Sequence, residues 1–246
     1  MPQILSNVRR QAVPVFAPSS LSARADLAVK VAQTINAWAG AEAEMGQLLR
    51  SVTGGDARAS MAMFLALQSA PAKLAALDAA VEVTLKGDQL RIYTGIMRLA
   101  RRAAKQRHKF AHHIWGHCLE LPDALLLIDP VDQLRKNLDV LTGPFAEFVA
   151  EWMPQSTGVF RDIPSDDPIE NRYVYVYRDA DFDCAIKECH DVAHMLRDLR
   201  WSIEHQTRWN NPELAAQVLQ RLLSRPELLK ELPPKPPEQT SPEAQT

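Results

Sequence analysis

Between Gln89 and Leu119 the chain carries no aspartate and no glutamate, although it holds Arg91, Arg98, Arg101, Arg102, Lys105, Arg107 and Lys109. The protein as a whole is slightly acidic, with a formal charge of −2 at pH 7, so this positive block is local and points to an anionic partner for one segment. Glycine is scarce, at nine of 246 residues, which argues against a loop-rich β architecture. Three cysteines without framework spacing exclude a disulfide scaffold and suggest reduced thiols in a cytoplasm. No apolar run approaches the roughly 20 residues that a membrane span needs. Nothing near the N-terminus reads as a signal peptide, since Arg9 and Arg10 are followed by a segment broken by Pro14 and Pro18. Gly54-Gly55 has no Lys-Ser/Thr behind it, and no Gly-x-Ser-x-Gly occurs. These absences remove the phosphate loop and the serine-hydrolase elbow from consideration.

What is present is mostly helical periodicity. Residues 1–20, with three prolines and no sustained pattern, read as an N-terminal arm, partly ordered at best. From Leu21 to about Val52, Ile35, Trp38, Glu42, Met45 and Leu49 recur at three- and four-residue spacing along one stripe. Thr53-Gly54-Gly55-Asp56 stops that helix, and Asp56 can cap the next. Helices follow over 57–68 and 71–86, and a long one over about 89–114. Ala124–Asp129 is a short apolar run of strand length, and Arg172–Arg178 alternates β-branched and aromatic residues as a strand should. Each is the other's best partner. Residues 132–153 look helical, 154–171 loop-like, and further helices fit Asp181 to about His205, 212–223 and 226–231. The chain therefore reads as mainly α, a helical bundle with a small two-stranded β element. Its single domain covers 21–232, ahead of a disordered Pro-rich tail at 233–246.

The end of the acid-free helix concentrates the chemistry. His108, His112, His113 and His117 stand there, four of the seven histidines. Imidazoles that titrate near neutrality beside fixed positive charge suit binding and cleaving a phosphodiester. On a helix, Met97, Ala100, Ala104, Arg107, Ala111 and Ile114 share one stripe, so Arg107 interrupts an apolar face. It needs a carboxylate, a subunit partner or an anionic ligand. Glu42 poses the matching puzzle on the stripe of Trp38 and Met45. If their helices pack, the two could neutralise each other or line a polar pocket. His112 lies about 7.5 Å along the axis from Arg107 and about 140° around it, so near a helix end both can border one cleft. His108 and His112, four apart, share a face.

Arg107-His108 followed by His112, with the extension Ala111-His112-His113-Ile114-Trp115, resembles the signature of the HEPN superfamily (higher eukaryotes and prokaryotes nucleotide-binding domains). The Trp38…Glu42 helix and Leu121–Leu126 extend the likeness over roughly residues 21–130. The resemblance implies a helical bundle that dimerises with its two motifs facing, so a homodimer, and the reduced cysteines place it in the cytoplasm. It implies a metal-independent endoribonuclease without cofactor, in which the ribose 2′-OH attacks the adjacent phosphate to leave a 2′,3′-cyclic phosphate and a 5′-OH. Arg107 would hold the scissile phosphate, His112 would handle protons and His108 would orient or polarise the site. Arg101, Arg102, Lys105 and Lys109 would attract the RNA backbone. Toxin or phage-defence roles are common among such proteins, so an antitoxin or other protein partner is a further expectation. The chain departs from the pattern at His113, which replaces the usual Gly and is a rival to His112. The alternative is a non-catalytic helical module that binds RNA, a nucleotide or a partner protein through the same basic helix.

Other signals are weaker. His190-Asp191-Val192-Ala193-His194 resembles the zinc motif HExxH, but Cys184 and Cys189 diverge on the helix and no third ligand has suitable spacing, so no metal is expected. Cys118 reads as a small buried residue rather than a nucleophile. Tyr173, Tyr175 and Tyr177 read as one side of a half-buried strand in preference to a stacking face for bases. Trp115, Trp152, Trp201 and Trp209 read as core or interface anchors.

Overall fold

The computed structural model describes residues 2–54, 56–135 and 170–234. The expected helix over 132–153 beyond residue 135, the loop up to residue 169, Trp152 and the tail beyond residue 234 lie outside the described residues. The fold is mainly α with a small antiparallel sheet. Where sequence suggests one domain over 21–232, the chain divides into two compact units. One comprises Met1–Asn36 with Lys105–Lys187, the other Ala37–Ala104 with Glu188–Thr246. Three long helices contribute a part to each: α2 (Ala25–Thr53), α5 (Gly87–His112) and α6 (Asp179–Thr207).

The second unit is a helical bundle. It adds α3 (Ala57–Ala66), α4 (Ala70–Thr84), α7 (Pro212–Leu223) and α8 (Pro226–Leu229) to its portions of the long helices. Gly54 adopts φ +62°, the left-handed stop read from the sequence, and Asp56 accepts the Arg58 N–H as the cap of α3. Ser69 caps α4 through the Ala72 N–H, with Pro71 in the first turn. The apolar stripes meet in one core holding Trp38, Met45, Leu48, Leu77, Ile96 and Leu196. A buried carboxylate, Glu204, accepts from Arg50 at 2.7 Å and from the Ser51 hydroxyl at 2.7 Å, with Arg200 at 3.3 Å. This arrangement satisfies an otherwise costly buried charge.

The first unit is built on the sheet. Its strands β1 (Gln3–Ile4), β2 (Ile114–Gly116), β3 (Ala124–Ile128) and β4 (Val174–Arg178) lie in the order β1-β4-β3-β2, all neighbours antiparallel. The expected pairing of the two apolar segments holds, with Leu126 opposite Val176. The expected two strands become four, because the arm supplies one edge and the chain leaving α5 supplies the other. The arm is ordered, contrary to expectation. Leu5 in the short helix α1 (Leu5–Val8) is fully buried, and Val15 bridges to His117. The physical reason lies in the sheet, whose central strand β3 is buried along its whole length and needs cover on both faces. Leu5, Ala12, Cys118 and Leu121 cover Leu126, Ile128, Val174 and Val176 on one side. On the other side, Leu27, Val31, Phe110 and Phe182 pack on Leu125, Leu127 and Tyr177. Among the described residues no helix is long and apolar enough to cross a membrane.

Candidate functional site

α5 ends at His112, two residues earlier than periodicity indicates, and His113 links it to β2. Two bonds hold this exit: the His113 N–H donates to the Lys109 carbonyl at 2.9 Å, and the indole N–H of Trp115 donates to the Phe110 carbonyl at 3.1 Å. The Trp115 ring then packs with Phe110, Tyr177 and Phe182, at centroid separations of 5.5, 6.1 and 6.0 Å. Because the chain turns into a strand here, Ile114 leaves the helical stripe and Ala111 is exposed, so that stripe does not continue as a buried face.

Arg107 is half-buried, and its Nε is buried with no hydrogen-bond partner. No ion pair reaches it among the described residues. No ion pair meets the requirement for an anion read from the sequence at this guanidinium, while the Nε atoms of Arg50, Arg197 and Arg200 are buried without a partner as well. The carboxylate proposed for it is engaged elsewhere, since Glu42 pairs with Lys73 at 3.6 Å in the other unit.

The histidines fall into three situations. His108 and His112 are exposed and adjacent, with ring centroids 4.6 Å apart. His117 is structural: its Nδ1 lies 3.1 Å from the Ser20 hydroxyl, and its backbone pairs with Val15. His113 is mostly enclosed, its side chain 13% exposed, and its Nε2 stands 3.4 Å from Oδ2 of Asp129. Burial lowers the His113 pKa from its ordinary value. Asp129 opposes that shift, while Lys109, His108 and His112 add to it.

Asp129 escaped the sequence reading. It follows an apolar strand and looks like a turn residue, and it does cap the helical residues 130–135, accepting the Val131 N–H at 2.8 Å. The signal that finds it is register. Ile114 opposes Ile128 in the β2–β3 pair, so one step further along the ladder His113 falls opposite Asp129. Recognising β2 is the prerequisite.

The basic residues expected to attract a backbone are unequal. Arg101 is paired with Asp78, and Arg102 with Glu231 at 3.0 Å and Glu188 at 3.6 Å. The acid-free stretch thus meets its carboxylates from other elements of the bundle. All five side chains are partly solvated, so these pairs are worth roughly 0–1 kcal/mol each. Lys105 is exposed with no ion pair among the described residues. The Lys109 ammonium lies over the Tyr175 ring, 5.0 Å from its centroid. Tyr177 is fully buried and accepts from Gln106 at 3.0 Å, so it is unavailable for stacking, and Tyr173 precedes β4, so the three tyrosines do not form one side of the strand. Beside the exit from α5, Phe16, Pro18, Leu21, Ile114 and Trp115 line an open apolar pocket of about 280 Å³.

The remaining candidates do not form sites. His190 and His194 are exposed on α6 with centroids 6.4 Å apart, and no group of three metal-ligating side chains occurs among the described residues. Cys118 is buried, and burial pushes its thiol pKa up, which suits packing and not nucleophilic attack. Trp115 is the expected core anchor, whereas Trp201 and Trp209 are 41% and 50% exposed. No known protein family, curated protein or solved structure matches the chain.

Proposed function

We propose that the end of α5 is a phosphate-binding site, and that the protein is a metal-independent endoribonuclease of the HEPN kind, working as a homodimer. The observation that carries this reading is Arg107, a half-buried guanidinium with no ion pair among the described residues, next in sequence to His108, whose ring lies 4.6 Å from that of His112. A guanidinium in that state gains most from a ligand with two negative oxygens, which a phosphodiester provides. Arg107 then stabilises the extra charge that develops on phosphorus as the ribose 2′-oxygen attacks. His112 exchanges protons with the reacting oxygens, and His108, whose tilted ring lies 4.6 Å away, polarises the site. Lys105 and Lys109 supply attraction that is independent of base sequence.

The test is incubation of the purified protein with single-stranded RNA in excess EDTA, followed by end-group analysis. Cleavage to 2′,3′-cyclic phosphate and 5′-OH ends, lost in Arg107→Ala, is the expected result. Intact RNA would reject the reading.

A second reading is favoured by the exposure of both His108 and His112, which no hydrogen bond among the described residues orients. A binding module for RNA or nucleotide needs no such orientation. It would show salt-dependent affinity, weakened by Arg107→Ala, with no cleavage at any pH.

A further inference from the structure

Phosphodiester cleavage by internal attack needs two proton transfers of opposite sense. A base removes the proton of the 2′-hydroxyl, and an acid protonates the departing 5′-oxygen. Two equivalent imidazoles divide that work poorly. The four histidines near the end of α5 are not equivalent, and among the described residues His113 alone of them faces a carboxylate.

We infer, on the nuclease reading above, that His113 is the general base and that Asp129 is its positioning residue. Asp129 faces Nε2 of His113, which places the imidazole proton on that nitrogen and leaves the lone pair of Nδ1 for the substrate. Asp129 is itself held, because Oδ1 accepts the Val131 N–H at 2.8 Å and fixes the carboxylate plane. The separation of 3.4 Å is longer than a formed hydrogen bond. Pairs of this kind tighten on substrate binding. His113 is anchored by its own backbone bond to Lys109, and it stands one residue ahead of the β2–β3 ladder, whose first pair is Ile114 and Ile128.

The environment fits a base that must be neutral to act. Burial and the neighbouring Lys109, His108 and His112 disfavour the imidazolium, and Asp129 opposes them. The O2′–H bond breaks and its proton passes to Nδ1 of His113. The O2′–P bond forms and the P–O5′ bond breaks. The 5′-oxygen takes a proton from the imidazolium of His112. In the sequence pattern His113 is only a rival occupant of the histidine position. The carboxylate opposite it gives it a separate task.

The experiment compares wild type, His113→Gln and Asp129→Asn as full-length proteins on a single-stranded RNA in EDTA, measuring kcat and KM across pH 5 to 9. Asparagine preserves the cap to Val131, so equal denaturation midpoints for wild type and Asp129→Asn serve as the fold control. His113→Gln is expected to lose about 10²-fold or more in kcat with little change in KM. Asp129→Asn should retain part of the activity, and the acidic limb of its profile should move to lower pH, because losing the carboxylate lowers the pKa of the base. NMR titration of the His113 ring should move in the same direction. A wild-type enzyme that cleaves RNA, with His113→Gln equally fast or the limb unmoved in Asp129→Asn, would overturn this assignment and leave the nuclease reading standing. Failure of the wild type to cleave RNA would overturn both.

Discussion

The indole of Trp115 reaches back to the carbonyl of Phe110, and the residues spanned by that one bond include His112 and His113. The last turn of α5 leaves its carbonyls without helical partners, and this side chain satisfies one of them in a buried setting. It also pins the first residues of β2 to the helix end, so both histidines sit in a short, closed segment. Trp115→Phe keeps an aromatic ring but orphans the Phe110 carbonyl. We expect a loss of about 1–3 kcal/mol in chemical denaturation, together with a fall in kcat for RNA cleavage. Unchanged stability would mean that water replaces the bond.

Arg107 is expected to trade stability against activity. Its buried Nε has no partner, so Arg107→Met removes an unsatisfied group and keeps the apolar stem. Denaturation should show a gain of roughly 0.5–2 kcal/mol, while RNA binding and cleavage are lost. A large destabilisation would instead reveal a structural role for the guanidinium.

Folding stability should depend on pH through His113. Its pKa is lowered in the folded state, so the unfolded chain takes up a proton first as the solution is acidified. This contribution is absent at pH 8. It reduces stability as pH falls through the ordinary histidine value, and it levels off below the folded pKa. Denaturant midpoints for wild type and His113→Gln, measured from pH 8 to pH 5, should diverge in that window, with the wild type falling faster.

Gly116 reports on the arm. A methyl group there would stand 2.6 Å from the Phe16 ring and 2.9 Å from the Val15 carbonyl oxygen, closer than carbon atoms approach. Gly116→Ala should cost about 1–3 kcal/mol by overpacking and should speed proteolysis at residues 13–17. Equal protease resistance would mean that the arm has another way to seat itself.

Long helices were legible because their apolar residues recur at a period no other element shares. The starts of α3 and α4 were announced by Asp56 and Pro71, and the pairing of β3 with β4 by two compact apolar runs. β1 and β2 were not legible. At two and three residues they carry too few positions for a period, and they exist because β4 and β3 present open edges. The same gap hid Asp129, whose relation to His113 is a matter of register and not of spacing along the chain. Arg107 was identified by the opposite kind of signal, a charge out of place on an apolar stripe. Its anticipated partner failed because Lys73 takes Glu42.

The sheet joins stretches of chain that are far apart: Gln3 must find Val176, while Leu126 in the middle must find it as well. Such remote pairings carry a large loop-closure penalty and slow the search for the native arrangement. Until the arm docks, β4 would offer a bare ladder edge and the sheet an uncovered apolar face to other chains. Refolding from denaturant is therefore expected to be biphasic, the helical bundle forming quickly and the sheet late. Yield should fall as protein concentration rises, as for any intermediate that can mispair with its own kind.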